Sequence, residues 1–424
     1  MKIYPVTVNY TLLFLEQLED QHDLHMQAEK FYQNVRLWMK WDTLQTLAYH
    51  HDIEATVMGA LDCLSPGKLE KKWFAVLKSA ILYDMEEMSA NLAGSFITFD
   101  RARFEDLTRE EVNRVLTMLQ SLIDNGYSKS DNLQKILMEL VSLTGVQRNG
   151  SNPLTGGGFA DIWEGTWGDK KVALKVLRIF GWSGDRSNLL HDLCKEAIIW
   201  RRFKHENVLP FYGCCTDAFH PQYALVSPWM KNSDMMSFLK KYPRTDRLGM
   251  VRGVASGLCY LHTRKPHVVH GDLRGANVLI DDNGIPVIAD FGLARVIDSQ
   301  ATTRRAISFN GKGSIRWQAP ELLHSEESVN VSRQSDVYAF ACVILEVFTD
   351  EPPFSHLRDS QVLMAVIIRD ERPRDPGWLA RVRGLDDNLW KIMKSCWATQ
   401  PSDRPDIRIV LEMHPFSSTA TKED

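Results

Sequence analysis

Three oxygen-bearing side chains stand out in the second half of the chain. They lie in the run His270-Gly271-Asp272-Leu273-Arg274-Gly275-Ala276-Asn277 and in Asp290-Phe291-Gly292, which follows Asn277 by thirteen residues. Asp272 is a candidate proton acceptor for an attacking hydroxyl. Asn277 and Asp290 are hard oxygen donors of the kind that Mg²⁺ takes. One base and two magnesium-type ligands on a short hairpin is the chemistry of phosphoryl transfer from ATP.

Such chemistry needs elements that hold a nucleotide, and candidates precede the run. Leu154-Thr155-Gly156-Gly157-Gly158-Phe159-Ala160-Asp161-Ile162 is a glycine-rich segment whose small side chains let backbone N–H groups approach phosphate oxygens, although three glycines alone read equally well as a flexible turn. Val172-Ala173-Leu174-Lys175 reads as a strand with a lysine, which in isolation is usually a solvated surface group. The helical segment from His191 to Arg202 carries Glu196, and Tyr223-Ala224-Leu225-Val226-Ser227-Pro228-Trp229-Met230 reads as a strand running into a connector.

Together and in this order these segments resemble the eukaryotic protein kinases. HGDLRGAN resembles their catalytic loop with Gly271 where an arginine usually stands, ADFG their D-F-G, VALK their V-A-I-K and QAPE their A-P-E motif, at Glu321. The phrases from His205 to Gly213 and from Gly313 to Glu321, with the Cys396-Trp397 and Arg404-Pro405 ending, look like the tyrosine-kinase-like group, whose members mostly phosphorylate serine or threonine.

The resemblance implies a role for each matching residue. Asp272 accepts or orients the substrate hydroxyl, Arg274 contacts the γ-phosphate, and Lys175 reaches the α- and β-phosphates while pairing with Glu196. Asn277 and Asp290 hold Mg²⁺. ATP lies against Leu154, Gly157, Ile162, Ala173 and Leu279, with the Pro228 carbonyl and the Met230 N–H on the adenine. Proline suits the first of these positions because only a carbonyl is needed there. Ser233 and Asp234 are candidates for the ribose. Only Gly157 matches a family glycine in the phosphate loop, with Thr155 and Ala160 at the other two positions, which implies a weaker grip. Asp336 corresponds to the helix aspartate that holds the catalytic loop by its backbone, and Arg404 to the arginine that pairs with Glu321. Ser299, Thr302, Thr303, Ser308 and Ser314 are hydroxyls in the segment that kinases phosphorylate. Without an arginine at 271, a phosphate there is expected not to work through the usual catalytic-loop clamp.

The rest of the chain sets the context. Residues 1 to about 145 show helical periodicity. Val112, Val115, Leu116, Leu119, Leu122 and Ile123 share one face behind a Thr108/Glu111 capping box, and stripes recur at Trp73 to Met88, Leu133 to Val141 and Phe31 to Met39. These stripes read as the core of a helical bundle. Turn-formers from Arg148 to Pro153 mark a boundary. A net charge of −4 offers no dominant attraction for nucleic acid, and no nucleic-acid partner is expected. No window has the apolar length of a membrane span, the first residues lack the pattern of a signal peptide, and the seven cysteines are scattered, which fits a reducing cytoplasmic or nuclear compartment.

The expected architecture is therefore α+β: a bilobal kinase fold with a small antiparallel N-lobe sheet plus a helix and a mainly helical C-lobe, preceded by an all-helical domain. The expected boundaries are 1–147 for the helical domain, 148–414 for the kinase domain and 415–424 for a disordered polar tail. Two functions compete. One is an ATP-dependent kinase acting on serine or threonine of a protein substrate, with tyrosine as the lesser option. The other is a pseudokinase scaffold that binds ATP or partners while the N-terminal helices carry the output. Either leaves the helices a protein partner to find. The presence of Lys175, Glu196, Asp272, Asn277 and Asp290 favours the first.

Overall fold

The computed structural model describes residues 141–156, 160–177, 196–197, 199–215, 217–219, 222–264, 267–291, 295–297, 315–323 and 331–417, with isolated positions before 141. The chain divides into two compact units, Met1–Val141 and Ser142–Asp424. In the first, the described positions from Val6 to Val115 are helical apart from Thr108, which stands just ahead of the turn holding Glu111. The expected capping box forms there: the Thr108 N–H donates to Glu111 Oε2 at 2.8 Å and the Glu111 N–H to Thr108 Oγ1 at 3.3 Å. Val115, on the expected apolar face, is fully buried. The other helices expected from the N-terminal stripes fall almost wholly outside the described residues.

The second unit begins with an antiparallel sheet. Its strands are β1 (Val146–Arg148), β2 (Thr155–Gly156), β3 (Ala160–Trp167), β4 (Lys170–Leu177), β5 (Gly213–Cys215) and β6 (Ala224–Pro228), in the order β1-β3-β4-β6-β5 with β2 on the end of β3. Gly168 and Asp169 turn β3 into β4, and Gly168 has the positive φ, 56°, that so tight a hairpin asks of its first residue. Alternation along β4 decides the two faces. Val172, Leu174 and Val176 pack with Val146, Val226 and Cys215 into one core. Ala173 and Lys175 therefore point to the other face. Direct pairing of Lys175 with Ile162 and Leu225, and of Ala173 with Ser227, sets those residues beside them.

The helical half is built around one buried helix. After α1 (Met235–Lys241), α2 (Arg247–Thr263) and α3 (Pro320–Leu323) comes α4 (Arg333–Thr349), started by a capping box between Ser332 and Ser335. Every residue of α4 from Ser335 to Phe348 is buried, so no face of it meets water. Shorter helices follow: α5 (Asp359–Leu363), α6 (Trp378–Val382), α7 (Asp387–Cys396) and α8 (Ile407–Glu412). Phe416 belongs to this core rather than to the expected tail: it is buried and its ring lies 6.3 Å from that of Phe340 in α4.

Two small two-stranded ladders finish the frame. β8 (Val278–Ile280) pairs with β9 (Pro286–Ile288), and β7 (His267–Val269) pairs with β10 (Arg295–Ile297). The first returns the chain from Asn277 to Asp290, and the second leads into the catalytic-loop residues at one end and takes the chain away from them at the other.

Candidate active site

On the cleft face of β4, Lys175 Nζ lies 2.7 Å from Glu196 Oε1 and 2.7 Å from Asp290 Oδ1. Glu196 sits in a helical segment and is 4 % exposed, whereas the Asp290 side chain is 47 % exposed. Burial alone would lower the lysine pKa, but the charges of Glu196 and then Asp290 outweigh it and raise it above the ordinary lysine range. The side chain is a fixed cation strung between the two halves of the unit. Phe291 backs this arrangement. It is buried, with its ring 5.7 Å from Trp200, 5.0 Å from Phe203 and 5.6 Å from His270, so it wedges between the helix of Glu196 and the catalytic loop.

The loop itself hangs on Asp336 of α4, which is 1 % exposed. Its Oδ2 accepts the His270 N–H at 2.8 Å and His262 Nε2–H at 2.9 Å, and its Oδ1 accepts the Gly271 N–H at 2.9 Å. Gly271 has φ +80°, a conformation that a side chain disfavours, and the two backbone N–H groups converge on one carboxylate because of that bend. His270 Nδ1 accepts the Asp272 N–H at 3.2 Å, which leaves the proton on Nε2 to donate to the Ala289 carbonyl at 2.9 Å. One histidine thus ties Asp272 to the residue before Asp290.

Asn277 completes the cluster. Its Nδ2 donates to the Asp272 carbonyl at 2.7 Å and to Asp272 Oδ2 at 3.0 Å, so its amide oxygen is the end turned away from Asp272. The Ala289 N–H donates to the Asn277 carbonyl at 2.9 Å, which holds the two candidate metal ligands at the neighbouring ends of β8 and β9. An amide oxygen and a carboxylate are the hard donors that suit Mg²⁺. Arg274 Nε stands 3.9 Å from Asp272 Oδ2, a long ion pair.

Around the cleft, Ile162 and Ala173 lie on the same sheet face as Lys175. Leu279 is on β8, joined by a bridge to Asp234. Leu154 is 57 % exposed and its N–H donates to the Ile162 carbonyl. Pro228 ends β6 opposite Val172, and Met230 follows it. Gly157, with its neighbours at 158 and 159, lies outside the described residues. Asp234 has a structural duty. It caps α1, its Oδ1 accepting the Met236 and Ser237 N–H groups at 3.0 Å each and its Oδ2 the Ser237 hydroxyl at 2.6 Å. A ribose contact would have to share that carboxylate.

Two further buried groups tie the helical half together, and the second of them reaches the catalytic loop. Arg404 makes a two-pronged ion pair with Glu321, 2.7 Å on each side, and donates to the carbonyls of Ala398, Gln334 and Thr399. Glu346, which motif matching passed over, uses one oxygen to accept the Gly275 N–H at 2.9 Å and Trp317 Nε1–H at 2.6 Å. Burial pushes its carboxyl up to about 7 despite those two bonds. The signal for it was visible as the lone acid within the apolar run Ala341-Cys342-Val343-Ile344-Leu345-Glu346-Val347-Phe348. His262 carries no comparable signal, because its contact with Asp336 joins two helices far apart in sequence.

Residues 149–413 match the family described as protein tyrosine and serine/threonine kinase. The serine/threonine-protein kinases STY17 and CTR1 of Arabidopsis thaliana are each 29 % identical over 263 residues, 61 % of this chain but only 42 % and 30 % of theirs. The tyrosine-protein kinase SRK3 of Spongilla lacustris is 32 % identical over 258 residues, 59 % of this chain and 70 % of its own. The chain therefore spans less than half the length of the two plant relatives. With a matched region that contains the whole sheet from β2, the lysine strung between Glu196 and Asp290, and the loop hung on Asp336, the chain belongs to the eukaryotic protein kinase family.

Proposed function

We propose that this chain is an active kinase that transfers the γ-phosphate of ATP to serine or threonine hydroxyls of a protein substrate. The observation that carries the reading is Lys175 Nζ at 2.7 Å from both Glu196 and Asp290. A lysine so held is ready to donate to phosphate oxygens without first being ordered, which lowers the entropic cost of aligning the nucleotide.

In this reading Ile162, Ala173 and Leu279 enclose the adenine, Leu154 and Gly157 cover the phosphates from the glycine-rich side, and Pro228 and Met230 supply the backbone carbonyl and N–H that recognise the base edge. Asn277 and Asp290 hold Mg²⁺, which supplies charge neutralisation at the phosphates. Asp272 orients the incoming hydroxyl and takes up its proton, and its carboxylate is aimed by Asn277 Nδ2. Arg274, beside Asp272, offers a guanidinium to the transferred group. Both serine/threonine and tyrosine kinases stand among the relatives; the two plant matches favour serine or threonine.

Residues 1–147 serve as a regulatory or docking unit for a protein partner, ahead of a kinase domain ending near 414, in a cytoplasmic or nuclear signalling protein. Among the described residues no helix is long and apolar enough to cross a membrane. The test is transfer of labelled γ-phosphate from Mg-ATP to a generic protein substrate, with Asp272→Asn as control. Transfer lowered at least a hundredfold in the variant is expected. If both proteins are silent while ATP still stabilises them against heat, the catalytic reading fails and a scaffold that only binds the nucleotide replaces it.

A further inference from the structure

One oxygen of Glu346 serves donors from two separate parts of the chain. The Gly275 N–H comes from the catalytic loop, and the Trp317 indole N–H comes from the turn Ile315–Trp317, which lies beyond Asp290 in the sequence. Both partners are firmly held. On the loop side Gly275 opens the short turn Gly275–Asn277, and the Asn277 amide donates to the Asp272 carbonyl and to Asp272 Oδ2. There is no slack beneath that turn: a Cβ at 275 would stand 2.7 Å from Met236 Sδ and 3.1 Å from Glu346 Oε2.

On the other side, Arg316 donates to the carbonyls of Pro353, Phe354 and Leu357 and pairs with Asp359 at 2.9 Å. Ile315 packs against the cluster of Phe354, Val362 and Val366, and Glu321 is gripped by Arg404. Trp317 itself is 9 % exposed. Its N–H, like that of Gly275, would be left without an acceptor in a buried place if Glu346 were lost. The carboxyl therefore joins two anchored pieces of backbone through a single atom.

We propose that Glu346 is a positioning residue for phosphoryl transfer, relaying the placement of the Ile315–Trp317 turn through Gly275 and Asn277 to Asp272. The inference rests on the reading of Asp272 as the group that orients the incoming hydroxyl. A misplacement of about 1 Å at a reacting group can cost on the order of a hundredfold in rate, so a small shift of the loop is enough to matter. A contact that only stabilises the fold predicts something else. In that case the folded fraction of a variant transfers phosphate at the wild-type rate. If Glu346 relays position, breaking its bond to Trp317 slows transfer, although Trp317 is not among the residues assigned to ATP or to the hydroxyl.

The test is kinetic. Trp317→Phe removes the N–H and keeps an aromatic ring, and kcat for transfer to a generic protein substrate, counted per folded molecule, is expected to fall about threefold to tenfold. The same substitution made in Glu346→Leu should cost nothing further, because the bond it breaks is already gone. Unchanged kcat in Trp317→Phe, or a loss that simply multiplies with that of Glu346→Leu, overturns the proposal. Glu346→Gln keeps one acceptor oxygen and should recover most of the rate that Glu346→Leu loses; no recovery counts against the relay. Should Glu346→Leu fail to fold, NMR of the full chain labelled with ¹⁵N-glycine and ¹³C-arginine decides. The Gly275 amide resonance should move in Trp317→Phe, because a carboxyl freed from the indole settles differently on the loop, and an unmoved resonance overturns the relay. The same spectrum separates this idea from the kinase reading. If the wild type transfers no phosphate, a resonance that moves leaves the relay standing and removes only the role of Asp272, whereas one that stays fixed removes both.

Discussion

Replacing Asp336 by asparagine tests the claim that α4 holds the catalytic loop by charge rather than by shape. The carboxylate takes three donors, with Oδ2 serving His270 N–H and His262 Nε2–H and Oδ1 serving Gly271 N–H. The amide's single oxygen can replace Oδ2 and keep two of them. Its NH₂ then faces the Gly271 N–H, donor against donor, in a site that is 1 % exposed. One charge-assisted bond is worth roughly 1.5–3 kcal/mol, and a buried donor left unsatisfied costs roughly 1–3 kcal/mol more, so a loss of about 3–5 kcal/mol is expected. Denaturant unfolding of the full chain measures it as a lower midpoint at unchanged slope. Phosphoryl transfer by the folded fraction should fall as well, because Gly271 adjoins Asp272. A loss below 1 kcal/mol, with transfer intact, would refute the reasoning and mean that packing alone positions the loop.

Glu346 makes stability depend on pH. Its carboxyl rises from 4.5 in a model peptide to about 7 in the fold, so between those values the folded chain holds a proton that the unfolded chain has released. Stability therefore falls as pH rises through that window, by roughly 3 kcal/mol in all. Glu346→Gln can keep both hydrogen bonds on its single oxygen, and the difference between wild-type and variant unfolding midpoints at pH 5 and pH 8 should show the slope; parallel curves would contradict it. Arg404→Lys keeps the charge but cannot reproduce the fork to Glu321 and the three carbonyl contacts. A loss of about 2–4 kcal/mol in denaturant unfolding is expected, and a change below 0.5 kcal/mol would remove the pair from the list of stabilising contacts.

Much of the site was legible because its residues lie in short local runs. The run from His270 to Asn277 contains the candidate base and a candidate ligand together, and the thirteen residues to Asp290 are just the length of the β8–β9 hairpin and its approaches. Strand alternation in Val172-Ala173-Leu174-Lys175 carried the side of the sheet on which the lysine emerges. The strand expected at Val172-Ala173-Leu174-Lys175 appears within β4, which runs two residues further at each end, because antiparallel partners set strand ends and local propensity does not. Asp234, a ribose candidate by resemblance, has a second duty that its position also announced. An aspartate directly ahead of Met235-Met236-Ser237 is also a helix cap, and the cap is what forms.

By itself the sequence determined the kinds of chemistry available and the order in which they are met: a strand lysine, a helix carboxylate, a candidate base and two candidate oxygen ligands. Local periodicity and motif spacing suffice for that, since each lies within one element or one hairpin. Only the tertiary structure decided which of them touch. Lys175 and Asp290 are 115 residues apart, Gly271 and Asp336 are 65 apart, and Glu346 reaches Gly275 across 71 residues. Contacts of that range depend on how α4 packs under the loop and how β4 faces the cleft. That packing is a collective outcome of burying apolar surface, which no single stretch of the chain encodes.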